Sequence, residues 1–150
     1  MNHRIVDYVT ADLRKPKAMV EMDICDIQYP DGTFDTILCS HVLEHVPNDR
    51  LALSELYRVL KSGGFAILQV PISAMLLRTY EDPAISSPEE RKRVYGQSDH
   101  VRLYGADYKQ LLEHTGFTVT LYNLAADRGV ACAKRYGVSE KEDLYIASKK

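Results

Sequence analysis

The sequence has few cysteines, no long apolar stretch and no excess of either charge. Its three cysteines, Cys25, Cys39 and Cys132, are widely spaced and form no C-x-x-C pair, which argues against a disulfide scaffold and a cysteine zinc site. The 19 basic and 21 acidic residues give a net charge of −2, so no nucleic-acid partner is expected. No apolar stretch approaches the roughly 18 residues of a membrane span.

The chain has the size of one domain. Its 150 residues, 45% of them apolar, are enough to bury one hydrophobic core, so residues 1–150 are expected to form a single domain. The start of the chain has no apolar stretch of the kind found in secretory signal peptides. These features predict a cytoplasmic protein without membrane association.

Short apolar runs alternate with amphipathic stretches along the chain. The runs at 8–11, 18–22, Phe34–Ser40 and 65–70 predict four β-strands. The runs at Phe34–Ser40 and 65–70 are nearly continuous in apolar character. Such runs are typical of strands that are covered on both faces, as in a parallel sheet.

The amphipathic stretches predict helices between these strands. Residues 49–60 carry an apolar stripe at helical spacing, residues 88–95 follow a Ser-Pro helix start, and residues 107–115 end at a glycine. Runs at 117–121 and 144–147 predict two late strands of antiparallel, edge-like character. Alternating strands and helices indicate an α/β fold. The irregular segment 72–104 is expected to fold as a flap over the strand ends, where α/β domains bind ligands.

Two aspartates follow predicted strands. Asp12 ends the first strand, and Asp23 ends the second and is followed by Ile24. A carboxylate at the carboxyl end of a strand can accept hydrogen bonds from both hydroxyls of a ribose or from an adenine amine. The alternative is that both aspartates stabilise turns, which is a common role for this residue.

The segment after the third strand contains His41, Glu44 and His45, which match the pattern H-x-x-E-H. In zinc peptidases, such a pattern depends on a continuous helix that places both histidines on one face. Here the pattern directly follows a strand and is cut off by Pro47. A zinc hydrolase is therefore a remote alternative, and no metal site is expected.

The order of these motifs resembles that of the class I S-adenosylmethionine-dependent methyltransferases of the type 11 group. The match in spacing runs from Asp23 to Pro71, with V-L-E-H-V at 42–46 and E-L-Y-R-V-L-K-S-G-G at 55–64. The block Y-G-Q-S-D-H-V-R-L-Y-G at 95–105 is similar to one in a bacterial and archaeal subset. The resemblance implies a Rossmann-like, mostly parallel sheet with flanking helices, S-adenosyl-L-methionine as cofactor, and methyl transfer to a small-molecule acceptor whose identity stays open.

The resemblance also implies roles for individual residues. Asp12 would hold the cofactor ribose, Asp23 and Ile24 would contact the adenine, and Cys39, Ser40 and His41 would line the methionine side of the cofactor. These positions lie at the ends of three predicted strands, as expected for a nucleotide site.

The acceptor side of the site is implied in the same way. His41 and His45 would face the acceptor, and either could act as a base near neutral pH. Four residues of the later block would lie on the flap over the acceptor: Asp99, His100, Arg102 and Tyr104. An equally weighted alternative is that the 99–104 segment is a hydrogen-bonded lock for the loop and contacts no ligand.

One family motif is missing from the sequence. Family members begin with a strand and a glycine-rich turn, whereas this chain has no G-x-G and only 11 residues before Asp12. A strand, turn and helix need about 20 residues or more, so a truncated sheet without its first strand is expected. The unpaired strand edges predict a homodimer or a partner chain that covers them. A catalytically silent methyltransferase-like subunit, or a fragment of a longer enzyme, is the alternative to an active transferase.

Overall fold

The computed structural model describes residues 7–14 and 18–150. Its strands are β1 (Ala11–Asp12), β2 (Val20–Glu21), β3 (Phe34–Ser40), β4 (Leu60–Gln69), β5 (Thr118–Tyr122) and β6 (Leu144–Ser148). Its helices are α1 (Asp49–Val59), α2 (Pro88–Tyr95), α3 (Tyr108–Thr115), α4 (Leu124–Arg128) and α5 (Val130–Arg135), with one 3-10 turn at Leu43–His45.

The main sheet has the strand order β3-β4-β6-β5. Strand β4 is parallel to β3, and β6 is antiparallel to both β4 and β5. Three of the four strands therefore run in the same direction, which agrees with the predicted mostly parallel α/β sheet. The late strands pair in antiparallel fashion as predicted, although β6 lies inside the sheet and β5 forms its edge.

Helices α1, α2 and α3 form where the sequence predicts them, whereas α4 and α5 were not predicted. The Asn48 side chain caps α1 by accepting a hydrogen bond from the backbone N–H of Leu51 at 3.1 Å, and Ser87 caps α2 in the same way. Helix α3 is followed by Gly116 at φ 113°, a backbone conformation that glycine adopts without strain. The apolar stripe of α1 is buried in the core cluster: Ala52, Leu53, Leu56 and Val59.

The first two predicted strands are much shorter than the sequence pattern indicates. Strands β1 and β2 form a separate parallel pair of two residues each, extended by backbone bonds from Val20 to Thr10 and from Met22 to Asp12. Tyr8 and Met19 are exposed, so these apolar side chains gain none of the burial that the longer predicted strands require.

Strand β3 forms an edge of the main sheet in the described part of the chain. It pairs with β4, and no backbone hydrogen bond among the described residues joins it to β1. Leu38 on β3 is 74% exposed. Coverage of this edge by a second chain therefore stays a prediction. Within residues 7–14 and 18–150, none of the helices combines the length and the apolar character needed to cross a bilayer.

The exposure of β3 predicts that two leucine substitutions lower the free energy of unfolding by different amounts. Leu68→Ala in β4 removes a fully buried side chain and is expected to lower the free energy of unfolding by about 2–5 kcal/mol. Leu38→Ala in β3 is expected to change it by about 0.5 kcal/mol or less, because the side chain is exposed. Urea denaturation of both variants measures the difference. A cost for Leu38→Ala equal to that for Leu68→Ala would show that Leu38 is covered in solution.

Candidate functional site

The candidate site lies at the carboxyl ends of β3 and β4. Ser40 and Gln69 are paired at the ends of these strands, and the backbone N–H of His41 donates to the Gln69 carbonyl at 2.9 Å. His41 has φ 55°, the one positive φ among the described non-glycine residues. Such a conformation costs about 1–3 kcal/mol and is common at functional sites. The chain therefore turns sharply at His41 as it leaves β3.

A cavity of about 430 Å³ opens at these strand ends. Its lining combines the end of β4 and the residues that follow β3 and β4 with the start of β6 and the loop before it: His41, Gln69, Val70, Pro71, Ile72, Ala74, Ser139, Lys141, Glu142, Asp143 and Tyr145. The His41 side chain is 58% exposed. This cavity is where the sheet topology favours ligand binding.

Glu44 lies behind His41 as a buried carboxylate. Its Oε1 is 3.3 Å from His41 Nδ1, and its side chain is 3% exposed. Oε2 has no hydrogen-bond partner within the described ranges. A carboxylate beside one ring nitrogen orients an imidazole and leaves the other nitrogen for a ligand. The sequence pattern H-x-x-E-H contained this pair, although the resemblance assigned no ligand role to Glu44.

His45 belongs to a second group of side chains. Its Nδ1 is 3.3 Å from Asp99 Oδ2, and its ring meets the His100 ring edge-on with centroids 4.7 Å apart. His100 is buried, whereas Asp99 is exposed. The structure thus brings His45 together with two of the four residues that the sequence placed on the flap.

Arg102 and Tyr104 are fully buried and hydrogen-bonded within the protein. The Arg102 guanidinium donates to the carbonyls of Leu43, Val46 and Pro47, and its Nε donates to Glu81 at 3.1 Å. The Tyr104 hydroxyl donates to the carboxylate of Asp49 at 2.8 Å. Because Arg102 binds carbonyls of the loop after β3 and Tyr104 binds Asp49 at the start of α1, the structure favours the alternative of a loop lock, and the assignment of these two side chains to the acceptor stays a prediction.

The two aspartates predicted to bind a cofactor both form turns. Asp12 Oδ1 accepts from the backbone N–H of Arg14 at 2.9 Å, and Asp23 Oδ1 accepts from that of Cys25 at 2.8 Å. One oxygen of each carboxylate therefore stabilises a turn, as the alternative interpretation predicted. Since β1 and β2 are parallel neighbours, both aspartates lie at the same end of this strand pair, and Oδ2 of each takes no part in the turn bond.

Cys39 and Ser40 point to opposite sides of β3. Cys39 belongs to the buried core, whereas Ser40 is exposed. Burial, followed by the charge of Glu44, raises the pKa of Cys39 to about 12, so its thiol stays protonated. Of this pair, only Ser40 has an exposed side chain. Ile24 is half-buried against the core.

Sequence reasoning missed the contribution of Gln69 and of the loop before β6. The Gln69 side-chain amide donates to Glu142 Oε1 at 3.0 Å and to the Asp143 carbonyl at 3.2 Å, which holds the 139–143 loop beside the cavity. A polar residue at the end of an otherwise apolar strand was the available signal. The position of the loop depends on tertiary contacts and carries no local pattern.

The H-x-x-E-H pattern does not lie on a continuous helix. A 3-10 turn of three residues, Leu43–His45, takes the place of the helix that a zinc peptidase would need. His41 precedes the turn in a left-handed conformation. The zinc-hydrolase alternative therefore gains no support.

Comparisons with known proteins show sequence similarity to methyltransferases. Residues 1–68 match the protein family described as methyltransferase domain. The chain is 33% identical over 78 residues to 2-methyl-6-phytyl-1,4-hydroquinone methyltransferase 1, chloroplastic, of Oryza sativa subsp. japonica, covering 51% of this chain and 24% of that protein. It is 29% identical over 114 residues to a ubiquinone/menaquinone biosynthesis C-methyltransferase of Escherichia fergusonii, covering 67% and 45%. The chain thus spans less than half the length of each of these two relatives.

Solved structures share the fold. The 1,6-didemethyltoxoflavin-N1-methyltransferase of Burkholderia thailandensis, with bound S-adenosylhomocysteine, superposes with a TM-score of 0.58 at 14% identity, covering 93% of this chain and 60% of that one. The [4+2]-cyclase SpnF superposes with a TM-score of 0.54 at 17% identity, covering 85% and 55%. Since a methyltransferase and a cyclase share this fold, the fold alone does not determine the reaction.

The buried position of Arg102 predicts a large loss of stability on its removal. Arg102→Met removes the donor to three backbone carbonyls and to the Glu81 carboxylate, and we expect the free energy of unfolding to fall by about 3–5 kcal/mol. Arg93→Met, at an exposed position of α2, is the matched control and should change it by about 0.5 kcal/mol or less. Urea denaturation measures both values. A loss below about 1 kcal/mol for Arg102→Met would refute the role of Arg102 as a lock.

Proposed function

We propose that this chain, a relative of the class I S-adenosylmethionine-dependent methyltransferases, binds S-adenosylmethionine and transfers its methyl group to a small-molecule acceptor. The observation that carries the proposal is the cavity at the ends of β3 and β4, which places a carboxylate-oriented histidine, His41, at the position where this fold binds ligands. The match of residues 1–68 to the methyltransferase family supports the same conclusion.

The residues of the proposed cofactor site fit the polar groups of the cofactor. Asp12 and Asp23 offer carboxylate oxygens at the same end of two parallel strands, which suits ribose hydroxyls and an adenine amine. Ile24 lies next to Asp23 and offers an apolar side chain for the adenine face, and Ser40 offers a hydroxyl from the end of β3. When bound, the cofactor supplies an activated methyl group on a sulfonium. The protein's contribution is to position both reactants.

His41 is the stronger of the two candidate bases. Its Nδ1 faces the buried Glu44, so Nε2 is the nitrogen that can take a proton from the acceptor. A carboxylate beside the ring stabilises the charged imidazolium that forms. His45 stays the second candidate, and its partners Asp99 and His100 are proposed to lie beside the acceptor rather than beside the cofactor.

The proposed acceptor is a small molecule with an ionisable hydroxyl. A relative is named for a hydroquinone substrate, and a phenolic hydroxyl is a group that a histidine base can help to deprotonate. The cavity volume of about 430 Å³ lies within the range of small-molecule sites. A catalytically silent methyltransferase-like subunit is the second candidate, because the sequence contains no G-x-G of the glycine-rich turn that lines the cofactor in this family.

Calorimetric titration with S-adenosylhomocysteine tests the cofactor site. We expect saturable binding to the unmodified chain, and we expect Asp12→Asn and Asp23→Asn each to weaken it by about 10- to 100-fold, because each removes a charged acceptor. Asp26→Asn, an exposed aspartate in the same loop, is the matched control and should leave the affinity unchanged. Absence of binding by the folded chain would overturn the proposed cofactor site and favour the silent subunit.

The His41→Asn variant tests the proposed base. Asparagine tolerates the left-handed backbone at this position, so the variant removes the imidazole with little strain. We expect transfer of a radioactive methyl group to a hydroquinone acceptor to fall by about 100-fold or more, with S-adenosylhomocysteine affinity within about twofold of the original.

His114→Asn, at an exposed position on α3, serves as the control for loss of a histidine. Unchanged transfer by His41→Asn would exclude His41 as the base and leave His45 as the remaining candidate.

A further inference from the structure

Three potential metal ligands meet where the loop after β3 packs against the 99–104 segment. Glu44, His45 and His100 each offer one ligand atom, and these atoms all lie within 4.8 Å of one another. Glu44 and His100 are buried, and the His45 side chain is 34% exposed. Two imidazoles and a carboxylate that converge at a largely buried point are a donor set that divalent transition metals bind in proteins.

The carboxylate of Glu44 supplies an independent observation. Its Oε1 faces His41, whereas Oε2 is buried and has no hydrogen-bond partner in the part of the chain that the structure describes. A buried charged oxygen without a partner is costly, because it loses its hydration and gains no compensating bond. A bound cation next to Oε2 would remove this cost.

We propose that Glu44, His45 and His100 form a binding site for one divalent metal ion of the zinc type. Sequence reasoning expected no metal in this chain, and the ligand set differs from the H-x-x-E-H pattern because His100 takes the place of His41. The proposed ion site does not depend on the methyltransferase activity. It follows from the packing of the 99–104 segment against the loop after β3.

The geometry permits an ion after a small contraction. Two ligands of one zinc ion, each about 2.0–2.2 Å from the metal, are about 3.4 Å apart in a tetrahedral site. Ligand atoms that lie within 4.8 Å of one another must therefore come closer together by about an ångström when the ion binds. The partial exposure of His45 leaves an open side at which water or an oxygen of another molecule would complete the coordination.

Two contacts support the proposed ligands His45 and Glu44. Asp99 Oδ2 is 3.3 Å from His45 Nδ1, so Nε2 is the nitrogen of His45 that is left for a metal. A carboxylate behind a ligating histidine fixes the ring and increases its basicity. The backbone N–H of Val101 donates to the Glu44 carbonyl at 2.9 Å, which ties the two contributing segments together at the site.

Zinc titration of the full chain tests this site. After treatment with a chelator and its removal, Zn²⁺ is titrated into the folded chain by calorimetry, and the melting temperature is recorded with and without Zn²⁺. We expect one ion per chain and a higher melting temperature with zinc, because an ion bound by the folded state stabilises it. Since loss of a supporting residue alone weakens metal sites by about 10- to 100-fold, His100→Gln and His45→Ala should each weaken binding by about 100-fold or more.

Two controls separate this ligand set from the alternatives. His41→Asn should change zinc affinity by less than about tenfold, since His41 is outside the proposed set, and the exposed His114→Asn should leave it unchanged. His45→Ala keeps the test decisive if His100→Gln fails to fold, because His45 is partly exposed. Absence of zinc binding by the folded chain would overturn the proposal. So would binding that survives both His45→Ala and His100→Gln, or binding that depends on His41 and not on His100.

Discussion

The arrangement of the candidate site depends on one buried guanidinium. Arg102 donates hydrogen bonds to the carbonyls of Leu43, Val46 and Pro47, more than 50 residues away in the chain. These carbonyls belong to the loop that carries all three residues of the H-x-x-E-H pattern. A planar group with five donors can satisfy several carbonyls at once, which the point charge of a lysine cannot do in the same geometry.

Arg102 joins two parts of the site that are also connected by the backbone bond between Val101 and Glu44. The loop after β3 begins at the end of this edge strand, and Asp99 and His100 of the 99–104 segment lie beside His45 of the loop. Tyr104 reinforces the connection through Asp49 at the start of α1. Burial, followed by the nearby carboxylate of Asp49, raises the pKa of Tyr104, so its hydroxyl stays protonated and continues to donate. The exposed His41 and the buried Glu44 can therefore keep a fixed relation to each other.

Much of the fold could be predicted from local sequence patterns. The apolar run of β3 has the predicted bounds Phe34–Ser40, and the caps of α1 and α2 lie where Asn48 and Ser87 indicate. These features depend on neighbours in sequence, and for that reason a pattern reveals them. The early apolar runs misled the prediction, because residues such as Tyr8 and Met19 are exposed and most of each run does not form a strand.

The candidate site was harder to predict, because its contacts are distant in sequence. The motif match identified the 99–104 segment but could not distinguish the buried Arg102 and Tyr104 from the exposed Asp99. Burial is set by packing against α1 and the loop after β3, which no local pattern encodes. The roles of Gln69 and of the buried Oε2 of Glu44 likewise emerge only once β3, β4 and β6 are assembled.

We propose that the carboxyl ends of β1, β2 and β3 form one ligand site with the loop after β3, although Asp12, Asp23 and Ile24 are not among the residues that line the cavity at the ends of β3 and β4. Backbone amide NMR of the full chain, recorded during addition of S-adenosylhomocysteine, tests this shared site. We expect the largest shift changes on residues 12, 24, 40 and 41, with little change on the outer face of α3. Shift changes confined to α3, or the absence of any change in the folded protein, would contradict it.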